Sequence, residues 1–212
     1  MKRIVVGVTG ASGSVCARSL LRALVRHPDV EQVDVVISQF ALQTLRHELH
    51  GGIRTDSAAL KALLEPGKGS GRRAARGNRA SAKAILHRAG NMAAAVSSGS
   101  YPTDAMVIVP CSGGTLAAVA NGVSTNLLQR AAEVTLKEHR PLILAFRETP
   151  LSLVHIDNMR RAARAGAIIY PLTPAFYTGA DDLEAIVEQF TARILDLLGL
   201  THTLGTRWGT SR

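Results

Sequence analysis

RAAEVTLKEHRPLILAFRETP, Arg130 to Pro150, is the stretch whose reading decides the fold. It reads as the end of an amphipathic helix, a short break at His139-Arg140, and then a strand. Between Leu142 and Phe146 no polar side chain intervenes. A continuous apolar run of that length suits a parallel strand buried on both faces better than a half-solvated antiparallel one. Arg147, Glu148 and Thr149 follow directly, and Pro150 can take the first position of the next helix. In open α/β sheets ligands bind in the crevice outside the carboxyl ends of the strands. Arg147 and Glu148 are therefore either the charged rim of a ligand site or a solvated loop after a core strand. Lys137, one helical turn before the strand, adds a cation whose direction the pattern leaves open.

Outward from this stretch, five strands alternate with helices. Arg3–Val8 (RIVVGV) is the first, followed by a glycine-rich turn through Gly10, Ala11, Ser12 and Gly13 and a helix over Val15–Arg26. Strand, glycine turn and helix present backbone N–H groups and a positive helix end to a phosphate. The spacing of Gly7, Gly10 and Gly13 is not the dinucleotide fingerprint, and no Lys-Ser/Thr pair marks a P-loop. A mononucleotide or a simple phosphate fits better, while the serines can equally be helix caps. Val33–Ile37 is the second strand, with Ser38 at its carboxyl end, and the helix Phe40–His50 carries Glu48 between His47 and His50. No three histidines or carboxylates fall at metal-ligand spacing, so no metal site is expected.

Ala89–Val96 reads as helix, Ser97–Ser100 as a turn, and Ala105–Val109 (AMVIV) as a third buried strand. Its end, Pro110-Cys111-Ser112-Gly113-Gly114-Thr115, is a second strand–loop–helix junction rich in hydroxyls and backbone donors. Cys111 has no neighbouring histidine or cation to activate it and reads as a packing residue. Thr125–His139 leads into the strand of the opening stretch, Leu151–Ala165 is helical, and Ala167–Tyr170 is the fifth strand. A proline-stiffened loop through Phe176-Tyr177 precedes the last helix, Asp181–Leu198, where Arg193 sits among Ile194, Leu195, Leu197 and Leu198 and is expected to be buried. Strands joined by crossing-over helices argue for a three-layer α/β fold with a mostly parallel sheet in a single domain.

The chain of 212 residues is 46% hydrophobic but only 4% aromatic, so aliphatic side chains must supply the core. No apolar run is long enough to span a bilayer. The N-terminus enters a strand without a secretory pattern. Cys16 and Cys111 make no disulfide framework, so a cytoplasmic location is expected. The net charge of +9 invites a nucleic-acid reading. Seven basic residues and no acid lie between Pro66 and Gly90 (Lys68, Arg72, Arg73, Arg76, Arg79, Lys83, Arg88), and removing those seven from +9 leaves +2 for everything else. The excess thus belongs to one Gly/Ser/Ala/Arg-rich segment, read as a basic flexible insert over 66–90. That segment has no aromatic side chain for base stacking, which argues against nucleic acid. The domain spans 1–200 around this insert, with a tail over 201–212.

GVTGASGS near the start, PCSGGTLAAVANG, RAAEVTLKEHRPLILAFRETPLS, PAFY and ARILDLLGL occur in order. Together they resemble the UbiX-type flavin prenyltransferases. The resemblance covers nearly the whole chain outside the basic insert, and the run from Arg130 is its most specific part. It implies a Rossmann- or flavodoxin-like fold and transfer of a dimethylallyl group from dimethylallyl phosphate to reduced FMN, without a metal. The product, prenylated FMN, would serve a UbiD-type decarboxylase in ubiquinone biosynthesis or aromatic acid decarboxylation. It also implies a homo-oligomer, trimers built into a dodecamer, with sites at subunit contacts. Gly10, Ala11, Ser12, Ser38, Ser112, Gly113, Gly114, Thr115 and Arg147 match positions that hold FMN, with Ser98 and Gly99 in a serine-glycine loop near the flavin. Tyr177 and Arg193 match those that hold the prenyl phosphate, with Lys137 as a further contact. Glu148 and Glu48 match acids near the transfer site. The chain departs from the pattern in the basic insert and at Asn91-Met92, where some relatives carry an aromatic group.

Two other readings share these features. One is a flavin-dependent cysteine decarboxylase of the same fold, whose PASANT-like motif is absent here. The other is a non-enzymatic FMN carrier, which would not need Lys137, Glu148, Tyr177 and Arg193 together.

Overall fold

The computed structural model describes residues 1–49, 52–65 and 82–209. Six strands form one sheet: β1 (Lys2–Val8), β2 (Val30–Ile37), β3 (Ala84–Arg88), β4 (Ala105–Cys111), β5 (Leu142–Phe146) and β6 (Ala167–Pro171). Their order is β3-β2-β1-β4-β5-β6, and every neighbouring pair is parallel. The chain builds outward from β1 in one direction, then returns to its other side at β4. The order reverses between β1 and β4, and in such sheets the crevice outside the carboxyl ends at the reversal is where ligands bind.

Alternation along the strands fills two separate cores. Ile4, Val6, Val8, Val107, Val109, Ile143 and Ala145 face helices α1 (Ser14–Arg26), α3 (Asp56–Leu64) and α7 (Leu183–Leu197). Val5, Met106, Ile108, Leu142, Leu144 and Phe146 face α4 (Gly113–Ala120), α5 (Leu127–Lys137) and α6 (Leu153–Arg164). Helix α2 (Gln39–Glu48) packs on α1 and α3. All five residues of β5 are buried, as a doubly covered parallel strand requires. Gly7 permits the close approach of α5, because a Cβ there would lie 3.0 Å from Leu128 Cγ.

Three expectations need correction. The sheet has six strands rather than five, and the sixth, β3, lies inside the segment read as a flexible insert. Its AILHR is a half-buried edge strand whose short pattern is masked by the flanking basic residues. Lys83 ties its start to the sheet, donating from Nζ to the carbonyls of His27 (2.9 Å) and Val30 (2.6 Å). The rest of that insert, residues 66–81, lies outside the described residues. The helix expected over Ala89–Val96 is a set of turns with one 3-10 turn at Ala95–Ser97, because Gly90-Asn91 turns the chain with the Asn91 N–H bonded to Arg88 O. Pro150 does not begin a helix. It follows a cis bond, and α6 starts at Leu153 behind a capping box in which Ser152 and His155 bond each other's backbone N–H.

Candidate active site

The crevice at the carboxyl edge is held by a residue that sequence reasoning passed over. Thr9, buried at the end of β1, donates from Oγ1 to Pro110 O (2.6 Å) and accepts from the Ser112 N–H (2.9 Å). One hydroxyl thus ties the ends of β1 and β4 at the point where strand order reverses. The available signal was a hydroxyl placed directly before the glycine turn.

Gly10 has no room for a side chain, since a Cβ would come within 2.8 Å of Phe40 Cβ. Gly13 adopts φ 118°, a left-handed conformation that glycine tolerates. The expected phosphate seat at the start of α1 is filled by the chain itself. Glu48 accepts from Gly13 N–H (3.1 Å) and Ser14 N–H (2.6 Å), so a carboxylate caps the positive end of α1. Partial burial opposes ionisation of Glu48, but hydrogen bonds from the Ser12 side chain and from Ser14 and Gly13 outweigh it and hold the carboxyl below its ordinary range. Ser38 caps α2 through the Ala41 N–H (3.3 Å).

The second junction keeps its helix end open. Ser112 caps α4 through the Thr115 N–H (3.4 Å) and donates to Thr115 Oγ1 (3.1 Å). Above Gly114 a Cβ would meet nothing within 4 Å, while one on Gly113 would meet only the His155 ring, at 3.1 Å from Nε2. His155 Nδ1 accepts from the Ser152 N–H, which leaves Nε2 to carry the proton of the neutral ring, and the ring leans on Phe146 at 6.1 Å. The Arg147 N–H bonds Cys111 O (3.2 Å), which fixes the backbone of the exposed Arg147, and of the exposed Glu148 after it, next to this junction. Burial pushes the Cys111 thiol up to about 12 and, with Glu48 adding, the Cys16 thiol up to about 11, so neither is a nucleophile at neutral pH.

The remaining expected residues lie elsewhere on the chain. Lys137 ends α5 at the amino edge of the sheet, where it pairs with Glu138. The Ser98-Gly99 loop is there too, since a Cβ on Gly99 would fall 2.6 Å from Lys137 Nζ. Arg140 clamps this loop by donating to the carbonyls of Gly99 (2.8 Å) and Tyr101 (3.0 Å) and to Thr103 Oγ1 (3.0 Å). Beyond β6 lies a third group. The Tyr177 and Trp208 rings meet edge to face at 5.0 Å. Arg193, expected to be buried, is 54% exposed and pairs with Asp196 at 2.7 Å. Ile194, Leu195 and Leu198 are buried, but at 100° per residue the helix turns position 193 outward. Asp196 also receives Arg207 (2.7 Å) and His202 (3.0 Å), which with Arg193 hold its carboxyl below the ordinary range, Arg207 foremost. Within one chain, then, the amino-edge lysine stands a strand's length from the carboxyl-edge crevice, while the tyrosine–arginine flank follows the carboxyl end of β6, where Leu172 lies against Gly13.

Residues 1–195 match the family described as Flavoprotein. The flavin prenyltransferase UbiX of Salmonella typhimurium is 40% identical over 210 residues, covering 98% of each chain. Among solved structures, AnUbiX (PadA1) in complex with FMN and dimethylallyl pyrophosphate superposes with a TM-score of 0.82 at 38% identity, over 100% of this chain and 99% of that one. A dodecameric FMN-dependent UbiX-like decarboxylase from Escherichia coli O157:H7 gives 0.81 at 35% identity, over 98% and 100%.

Proposed function

This chain belongs to the flavin prenyltransferases of the UbiX type within the Flavoprotein family, and from that premise we infer how its residues divide the work. The reaction joins a dimethylallyl group to FMN. The observation that carries the assignment of the site is the crevice between β1 and β4, whose rim offers hydroxyls, open glycine backbone and one cation at a single edge. These residues fit a flavin mononucleotide. Arg147 and the start of α4, with open space over Gly114, suit its phosphate, because backbone N–H groups and a guanidinium both favour an oxyanion. Gly10 to Ser12, Ser38 and Thr115 line the approach.

Reduced FMN supplies the nucleophilic ring that accepts the prenyl group. The chain has to bind the donor, stabilise the departing phosphate and move protons. Arg193, Tyr177 and Lys137 act on the phosphate, whose negative charge grows as the allylic bond breaks; preorganised donors are most effective there. Asp196 and the Trp208 ring hold Arg193 and Tyr177 in place until the donor arrives. Glu148, free of burial, moves a proton as the new ring on the flavin closes. Glu48 fixes Ser12 and the first turn of α1 beside the flavin.

Lys137, a strand's length from the carboxyl edge, joins the crevice only if a neighbouring copy brings it there. A homo-oligomer with sites at subunit contacts provides this, and Leu153 (80% exposed) and Val154 (67%) offer apolar surface near the crevice for such a contact. The prenylated product is taken up by a decarboxylase of the UbiD type. Anaerobic incubation of the protein with reduced FMN and either dimethylallyl phosphate or the diphosphate, followed by mass analysis of the flavin, tests the activity. The expected result is a flavin heavier by one C5 unit, and no mass gain with either donor defeats it.

A further inference from the structure

Arg18, Arg22 and Arg26 stand four residues apart on α1, so their guanidinium groups share one face of the helix. That face forms one wall of a groove of about 620 Å³ against α7 and the segment after Leu198. The volume lies within the range of small-molecule sites. Among the described residues, none of the three guanidinium groups has a hydrogen bond or an ion pair, and Arg22 Nε is the buried side-chain nitrogen left without any acceptor. Burial pushes Arg22 below the ordinary arginine range; Arg26 and Arg18 push it further, with only Glu184 opposing. A buried donor without a partner, in a stripe of like charges, marks a place for an anion.

The other groups in the groove narrow the choice. His27 and His202 are already satisfied, by Thr201 O and the Asp29 N–H, and by Asp196 and the Leu204 N–H. Glu184 and Glu188 on the facing wall would repel an extended polyanion, so the ligand carries one compact anionic group. Guanidinium forks match phosphate oxygens in bidentate geometry. Val15, Val187, Leu195 and Leu204 line the groove beside them and call for an apolar body.

We propose that the groove between α1 and α7 is a second binding site, for a small phosphate monoester with a short apolar body. It is built from different residues than the carboxyl-edge crevice. The test is calorimetric titration of the full chain in an Arg193→Gln background, which weakens the proposed donor site, using isopentyl phosphate and, separately, inorganic phosphate. Isopentyl phosphate is expected to bind at one site per chain, at least tenfold more tightly than inorganic phosphate. Adding Arg22→Gln should weaken it at least tenfold. Arg26→Gln, at an exposed position, should weaken it less and supplies the second reading if Arg22→Gln fails to fold. Binding unchanged by both substitutions, equal affinity for the two probes, or no binding at all overturns the proposal. So does a light-scattering result in which Arg22→Gln dissociates the assembly while the parent binds neither probe, since the groove is then a subunit contact.

Discussion

Asp34 on β2, fully buried, bonds His87 Nε2 on β3 at 2.7 Å, and this pair explains why an edge strand exists within a segment dominated by basic residues. Gln32 Nε2 (2.9 Å) and the Tyr101 hydroxyl (3.4 Å) complete the carboxylate's partners. His87 is the one contributed by β3. Replacing it with leucine leaves a buried acceptor short of a donor, at a cost of about 1–3 kcal/mol. Chemical denaturation of His87→Leu should show that loss, and an unchanged midpoint would mean β3 is held by its backbone bonds alone.

The same pair shows what could and could not be read in advance. LILAF in β5 was legible because burial on both faces leaves an uninterrupted apolar run, and the parallel fold follows from it. AILHR in β3 was not, because an edge strand is buried on part of its surface and its polar member is there for Asp34. In the site, glycines and hydroxyls at the strand ends were legible by type. Their division of labour was not. Glu48, Ser38 and Ser112 spend their hydrogen-bonding capacity on helix starts, and Thr9 acts through a contact across a hundred residues of chain. The outward turn of Arg193 was hidden by apolar neighbours in sequence that are not its neighbours on the helix surface.

Glu48→Gln should destabilise the protein by about 1 kcal/mol at neutral pH, the scale of a lost helix cap. The pH dependence follows from the depressed carboxyl. A group whose folded pKa lies below its unfolded value contributes stability above that unfolded value and loses it as pH falls through the folded one. The gap between wild type and Glu48→Gln should therefore be full at neutral pH and close in acid, below the ordinary carboxylate range. Melting curves at neutral and acid pH measure it. A gap that widens in acid would show that Glu48 is not held as the ionised cap.

Arg193→Ala should fold and bind FMN, since the side chain is more than half exposed and its ion pair is a surface one worth little. Prenyl transfer should fall by about 2–4 kcal/mol in the barrier, the scale of one lost transition-state donor. Arg193→Gln should be nearly as slow, because charge rather than shape meets the phosphate. Flavin retention measured alongside single-turnover prenylation separates the two effects. Near-normal transfer in either variant removes Arg193 from the donor site.

The last prediction follows from the position of Lys137 at one edge of the sheet and Glu148 at the other. Five residues of β5 lie between the edges, about 17 Å of extended chain. A lysine side chain cannot bridge that distance around a packed sheet, so the two residues act at one prenyl donor only if they come from different copies. Lys137→Ala and Glu148→Gln should each be inactive as homo-oligomers. Unfolded together in equal amounts and reassembled, they should regain activity. In a symmetric assembly each site draws its lysine from one chain and its glutamate from a neighbour, so random mixing restores about a quarter of the sites to the wild-type pair. Assembly of each variant alone, checked by light scattering, guards against loss of the oligomer as the cause of inactivity. Activity that stays at the level of the separate variants after mixing would place both residues in a site made by one chain, and the division of labour between the edges would then be wrong.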